Sequence, residues 1–123
     1  MKSYKKMRRA PIVYASATFY DDAPAKIGSM TCIECYEDAF RVVKLNWGAE
    51  EDYERNKDGE VELNWTIKGE ALERLKKTCN NANTQDAVVD YLKERFARYG
   101  RLAHYELLKW LQEKQIPYSY TEF

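Results

Sequence analysis

The chain has 123 residues, of which 20 are basic and 20 acidic, so its formal net charge at pH 7 is zero. A length of this order suits one domain rather than two. Hydrophobic residues make up 45% of the chain, which is enough for a packed core and argues against intrinsic disorder. The balanced charge excludes a general electrostatic attraction to nucleic acid or to anionic membranes, so any such binding has to come from a local patch.

Charge is distributed unevenly along the chain. Residues 1–20 contain five basic side chains and no acidic one, whereas residues 48–68 contain seven acidic and three basic ones. The two regions could contact each other, or both could be solvated surface, where ion pairs add little stability. The sequence leaves the role of the acidic loop predicted over residues 49–59 open.

The first residues resemble part of a secretory signal, because basic side chains precede the apolar segment 10–14. This segment is about five residues long, whereas the apolar part of a secretory signal has roughly 7–15. No stretch approaches the ~20 apolar residues of a membrane span. Three cysteines, an odd number, do not indicate a disulfide framework. We therefore expect a cytoplasmic protein that does not enter a membrane.

The predicted elements begin with a strand over residues 12–20, where β-branched and aromatic residues are frequent. The segment 31–47 is the clearest predicted helix. Thr31 and Glu34 have the spacing of a capping box, and Gly48 supplies a stop. On a helical wheel the apolar side chains of this segment form one stripe: Ile33, Tyr36, Ala39, Phe40, Val43 and Trp47.

After the acidic loop, alternating apolar side chains predict a second strand over residues 61–65. Asn83 or Thr84 is suited to cap a later helix, and Pro117 blocks helix continuation near the end of the chain. Three further helices are therefore expected, over residues 66–79, 83–100 and 102–115.

These elements predict an α+β fold that is predominantly helical, with about four helices packed on a small β element of one or two strands. Residues 1–123 form a single domain in this prediction, with a basic N-terminal arm (1–10) and a short aromatic C-terminal tail (117–123). A two-stranded sheet is marginal by itself, so the helices across one face would have to stabilise it.

The last predicted helix is apolar around most of its circumference, which indicates burial on more than one side. It is either a central helix of its own domain or a helix with one flank against another chain. Tyrosine and tryptophan are the residue types that anchor protein interfaces. The candidate partner-binding residues are the aromatic and apolar side chains of this flank and of the tail: Tyr105, Leu107, Trp110, Tyr118, Tyr120 and Phe123.

Cysteine and histidine raise the question of a metal or thiol site. Cys32 and Cys35 have the two-residue gap of zinc sites and redox motifs, and Cys79 could add a third thiol. A second close pair is missing, so burial in the core is the expected role of all three. His104, the only histidine, is expected as a hydrogen-bonded core residue, with a ligand or pH-sensitive role as the alternative. No metal or other cofactor is predicted.

Basic side chains next to aromatic ones favour nucleic-acid binding as an alternative function, because this combination suits phosphate contact and base stacking. Glu94 lies among them, and no helix-turn-helix, finger or RNA-binding signature is present. The residues that would make the contacts are Lys2, Lys5, Lys6, Arg8 and Arg9 of the arm, and Arg95, Arg98 and Arg101 near the end of the third helix.

Enzyme function is not indicated, because the chain has no GxSxG sequence, no glycine-rich phosphate loop and no histidine pair with a carboxylate. We predict a small non-enzymatic protein that binds another protein, in a larger complex or as a homo-oligomer. A nucleic-acid-binding accessory protein and a small metal or thiol protein are the alternatives. In general character the chain is similar to many phage or mobile-element proteins, among them virion components and inhibitors of host defence.

Overall fold

The computed structural model describes residues 12–123, which form an antiparallel sheet with helices packed on one face. The strands are β1 (Ala15–Asp21), β2 (Gly28–Cys35), β3 (Ala39–Trp47), β4 (Glu60–Lys68) and β5 (Ser119–Glu122), and they lie side by side in this order. The helices are α1 (Glu50–Arg55), α2 (Gly69–Thr78), α3 (Gln85–Phe96) and α4 (Ala103–Glu113). A 3₁₀ segment, Ala97–Leu102, joins α3 to α4. Within the described part of the chain, no helix combines the length and apolarity needed to cross a membrane.

The predicted fold class is wrong, because the described residues contain a five-stranded sheet rather than one or two strands. The largest difference is the segment 31–47, which was predicted as a helix and lies in β2 and β3. The two strands are joined by a tight turn in which Tyr36 N donates to Ala39 O at 2.7 Å. Seven of the eight residues of β2 are buried, so the alternation of a half-buried strand is absent. Without that alternation, the apolar spacing imitated a helical stripe.

The residues that imitated a helix N-terminus have other partners in the structure. Thr31 Oγ1 donates to Arg101 O at 3.3 Å, and Glu34 Oε1 accepts a bond from Tyr36 Oη at 2.8 Å. Gly48 does not end a helix; it follows β3 with a φ of +87°. Thr31, Glu34 and Gly48 therefore serve the sheet and its connections rather than a helix.

Most other predicted elements are confirmed with shifted ends. The strands predicted over residues 12–20 and 61–65 correspond to β1 and β4, and the three later helices correspond to α2, α3 and α4. Thr84 caps α3, since its side chain accepts a bond from Ala87 N at 3.1 Å. The acidic loop contains the short helix α1, and the tail adds β5, a strand that the sequence did not predict.

The main core lies between the sheet and the helices α2, α3 and α4. Its fully buried side chains come from both layers: Ile33, Phe40, Val42, Ile67, Leu75, Leu92, Leu107, Leu111 and Ile116. Because side chains alternate along a strand, the neighbouring residues of β2 and β3 point to the other face. There Met30, Cys32, Val43 and Leu45 form a second buried cluster, against which Trp47 packs.

Two glycines with positive φ give a matched test of the backbone. A Cβ at Gly48 would lie 1.9 Å from Lys26 O, a backbone atom, whereas a Cβ at Gly69, with a φ of +60°, meets nothing within 4 Å. We expect Gly48→Ala to lower the free energy of unfolding by about 3 kcal/mol or more. Gly69→Ala should lower it by about 1–2 kcal/mol, the left-handed strain alone. Chemical denaturation measures both variants, and equal losses would contradict the clash.

Candidate functional site

A groove of about 490 Å³ lies between α3 and α4 and has an aromatic floor. The Trp110 ring centroid lies 5.5 Å from that of Phe96 and 6.3 Å from that of Tyr91. The Tyr99 ring in turn contacts Phe96, with the centroids 6.3 Å apart. These four rings form a continuous aromatic surface, and the recess that they line is called the α3–α4 groove below.

Two arginines lie against this aromatic surface. The Arg95 guanidinium carbon is 5.6 Å from the Trp110 ring centroid and 5.9 Å from that of Phe96. The Arg98 guanidinium lies 5.1 Å from the Tyr99 ring centroid, and its Nη2 donates to Tyr99 Oη at 3.2 Å. Stacking on a ring face orients a guanidinium and leaves its other N–H groups available to an acceptor. Both side chains are exposed, so a ligand can reach them.

The charges that line the groove balance. Three basic side chains, Arg95, Arg98 and Lys109, stand with three acidic ones, Glu94, Glu106 and Glu113. The Lys109 ammonium lies 3.9 Å from a carboxylate oxygen of Glu106, which is a weak, exposed ion pair. The groove is therefore not a positively charged surface, and its carboxylates would repel a phosphodiester backbone.

The structure divides the predicted nucleic-acid contacts among different places. Arg95 and Arg98 line the α3–α4 groove, whereas Arg101 lines a separate cleft at one end of the sheet. The five basic residues of the arm lie outside the described residues: Lys2, Lys5, Lys6, Arg8 and Arg9.

Of the predicted partner-binding residues, two belong to the helix layer of the core. Leu107 is fully buried, and Trp110 is 5% exposed and lines the α3–α4 groove. The groove adds three aromatic residues that the partner-binding prediction omitted, Tyr91, Phe96 and Tyr99. The sequence signal that could have identified them is the position of these three aromatic residues close to two arginines in the same segment.

The other predicted partner-binding residues do not line the α3–α4 groove. Tyr105 on α4 is 58% exposed. The Tyr120 ring packs against Trp65, with the centroids 5.3 Å apart and the planes tilted by 39°, and Tyr118 Oη accepts a bond from Gln112. Phe123 exchanges two main-chain hydrogen bonds with Glu62 and so extends the pairing of β4 with β5. The tail thus attaches to its own sheet, and the six residues do not form one surface.

A second recess, of about 400 Å³, lies at the end of the sheet beside the 3₁₀ segment and is called the lysine cleft below. Lys44 on β3 is 7% exposed in it. The Lys44 ammonium donates to Ser29 Oγ and Thr31 Oγ1, each at 3.3 Å, and to Arg101 O at 3.1 Å. Burial, and then the nearby charge of Arg101, lower the pKa of Lys44 to about 8.

Three carboxylates line the lysine cleft, those of Asp22, Glu51 and Asp52, and two of them have local hydrogen-bond partners. Asp22 accepts bonds from Tyr20 Oη at 2.5 Å and from Ser29 N at 2.9 Å. These two bonds, the tyrosine bond first, lower the pKa of Asp22. Asp52 is buried and accepts a bond from Ala49 N at 3.1 Å at the start of α1. Both carboxylates therefore serve the turns that carry them.

His104 is half-buried near this cleft, with the backbone of Arg101 close to its ring. Its ring stacks on Trp65 at 5.8 Å between centroids, and its Nδ1 is buried without a hydrogen-bond partner among residues 12–123. Burial, followed by the charge of Lys44, lowers the pKa of His104 to about 4. The imidazole is therefore neutral near pH 7.

The three cysteines do not converge on a site. Residues three apart on a strand point to opposite faces, so Cys32 lies in the second cluster while Cys35 and Cys79 lie in the main core. Burial raises the pKa of the Cys35 thiol to about 11 and that of Cys79 to about 12, which disfavours the thiolate. The region from Ile12 to Phe123 contains no group of three or more metal-binding side chains that could hold an ion.

Because the pKa of His104 is low, the free energy of unfolding depends on pH in the acidic range. Between pH 6.5 and about 4 the unfolded chain binds a proton on this residue and the folded chain does not. We expect the free energy of unfolding to fall as the pH drops through this window. The fall should be up to about 3 kcal/mol larger in the native chain than in His104→Gln. Urea unfolding of both proteins at several pH values measures the difference. A constant difference would contradict the low pKa.

Lys44 makes the free energy of unfolding depend on pH in the alkaline range. Between pH 8 and 10.5 the folded protein has released the Lys44 proton that the unfolded chain still holds, so stability should rise with pH across this range. In Lys44→Met this rise should be absent, so the free energy of unfolding of the native chain should increase relative to that of Lys44→Met between pH 8 and 10.5. Parallel curves would show that Lys44 titrates as an exposed lysine does.

Comparisons of the chain with protein-family models, with curated proteins and with solved structures give no match.

Proposed function

We propose that the protein is a non-enzymatic binding protein whose α3–α4 groove docks a segment of another protein. The observation that carries the proposal is the aromatic floor of the groove with Arg95 and Arg98 stacked on it. Tryptophan, tyrosine and arginine contribute most of the binding energy at protein interfaces. Here they are already ordered by stacking, which lowers the entropic cost of docking.

The charges of the groove favour a protein over nucleic acid. A partner segment with an acidic side chain flanked by basic ones can pair with Arg95 and Arg98 and also with the glutamates Glu94 and Glu113. A nucleic acid carries its charge on phosphates alone, which those glutamates repel. We therefore assign the groove to a protein segment of mixed charge with an apolar or aromatic anchor.

The test compares variants of the tagged protein in affinity capture from native lysate, with and without nuclease treatment. Arg98→Glu and Tyr99→Ala change exposed side chains of the groove, and Lys77→Glu is the matched control because it reverses an exposed charge on α2. The same partner should be captured by the native chain and by Lys77→Glu. Its affinity, measured with the purified partner, should fall about 30-fold in each groove variant.

Two outcomes would overturn the proposal. One is equal capture by the native chain and by both groove variants at unchanged thermal stability. The other is a recovery that disappears with nuclease, which would assign binding to nucleic acid instead.

A further inference from the structure

The face of the sheet opposite helices α2, α3 and α4, called the second face below, is buried although no described helix covers it. The second cluster forms its apolar centre, and the four members are each 1–3% exposed: Met30, Cys32, Val43 and Leu45. Among residues 12–123, the one partly buried apolar side chain packed against this cluster is that of Trp47, at the end of β3. A sheet face is shielded from water only where another layer covers it. The second face therefore has a cover that α2, α3 and α4 do not provide.

The second face carries more negative than positive charge. The register of the strands places four carboxylates and two cations on it: Asp21, Glu34, Glu60, Glu62, Arg41 and Lys68. Arg41 lies opposite Glu34 on the neighbouring strand, and Lys68 lies at the same end of the sheet, where β3 begins. Among the described residues, the other end of this face has carboxylates alone, those of Asp21, Glu60 and Glu62. A cover with basic side chains would complement this carboxylate end.

Two neighbouring polar side chains of β4 show where the cover has to supply hydrogen-bond donors. Glu62 is 3% exposed and Asn64 is 1% exposed. They bind each other, since Asn64 Nδ2 donates to Glu62 Oε2 at 3.1 Å. Asn64 Oδ1 is buried and accepts no hydrogen bond in the described part of the chain. A buried carboxylate beside a buried amide oxygen favours a cationic donor, a lysine ammonium or an arginine guanidinium.

The chain that precedes the described residues is basic, long enough and attached at the right place. Residues 1–11 contain five basic side chains and no acidic one. Ile12 leads into β1, and Tyr14 N donates to Cys35 O at 2.9 Å, at the end of β2. A segment of this length extends to about 36 Å, whereas five strands are about 19 Å wide and β3 is about 30 Å long. Residues 1–11 can therefore reach the carboxylate end of the second face.

We propose that residues 1–11 cover the second face and place basic side chains against its carboxylates. Tyr4 and Met7 lie between the basic residues in sequence and provide apolar groups for the second cluster. Glu60 and Glu62 belong to the segment 48–68, so this contact joins the basic start of the chain to its acidic segment. The cations that pair with these carboxylates are not available to the phosphates of a nucleic acid.

The first test locates residue 3 relative to the sheet in the full chain. Ser3→Cys keeps all five charges of the arm, and a nitroxide reagent attaches there because the three native cysteines are buried. The nitroxide broadens the NMR signals of nearby methyl groups. We expect the methyl signals of Met30, Val43 and Leu45 to be lost, whereas those of Leu92, on the helix side of the sheet, remain.

A mixture of two chains separates this contact from one between copies. Isotope-labelled native chain, mixed with unlabelled chain that carries the nitroxide, should keep the methyl signals of the second cluster. Loss of these signals in the mixture would assign the cover to a second copy and overturn the proposal. So would unchanged Val43 signals in the chain that carries the nitroxide, or equal broadening of the Val43 and Leu92 signals.

The second test removes the charge complementarity. Arg8→Glu combined with Arg9→Glu should speed the alkylation of Cys32 about ten-fold or more, because repulsion from the carboxylates opens the second face. Cys79 lies in the main core and should keep its native rate. Mass spectrometry of the alkylated peptides measures both rates.

The matched control is Lys76→Glu combined with Lys77→Glu, which reverses two neighbouring charges on α2. It should leave the alkylation rates of Cys32 and Cys79 within about two-fold of the native rates. A native Cys32 rate in the arm variant would contradict the proposal, and so would equal acceleration of Cys32 and Cys79.

Discussion

The hydrogen bond from the Lys44 ammonium to the carbonyl oxygen of Arg101 joins the centre of the sheet to the connection between α3 and α4. Thr31 donates to the same carbonyl from the neighbouring strand. The chain reverses here at Gly100, whose φ is +54°, so these bonds fix the point from which α4 departs. The separation of α3 and α4, and with it the α3–α4 groove, depends on this attachment, and so does one wall of the lysine cleft.

Attachment at a buried lysine has an electrostatic consequence for the whole end of the sheet. The ammonium is surrounded by neutral acceptors, and its charge helps to keep His104 neutral. The neutral imidazole stacks on Trp65, whose ring also contacts the tilted ring of Tyr120. One aromatic ring of β4 thereby connects α4 with β5, two elements that are adjacent in sequence but belong to different layers.

Local sequence signals predicted the outer elements better than the central ones. Alternation identified β4, although its polar residues Glu62 and Asn64 are buried rather than exposed, and a capping threonine identified the start of α3. The central strands β2 and β3 are buried on both faces, so their residues show no alternation and their spacing fits a helix equally well. β5 is short and fully exposed, and only its pairing with β4 identifies it.

The candidate sites were predictable to different degrees. Arg95, Arg98 and Trp110 attracted attention from their residue types alone, since arginine and tryptophan beside tyrosines suit binding. That these three share one groove depends on the packing of α3 against α4, which no local pattern contains. Lys44 had no signal at all, because it lies in the segment 31–47 that the sequence predicts as a helix, outside the apolar stripe of that helix. Its burial follows from the strand that replaced that helix.

The order of the strands separates the sheet into parts that form differently. β1 to β4 are neighbours in both sequence and space, so each pairing closes a short loop. β5 pairs with β4 only across the whole helical half of the chain, a contact of high sequence separation. The four-stranded meander can therefore fold early, and β5 joins after the helices are in place. Local opening of the native protein should start at the same strand, since β5 has four paired residues and no buried side chain.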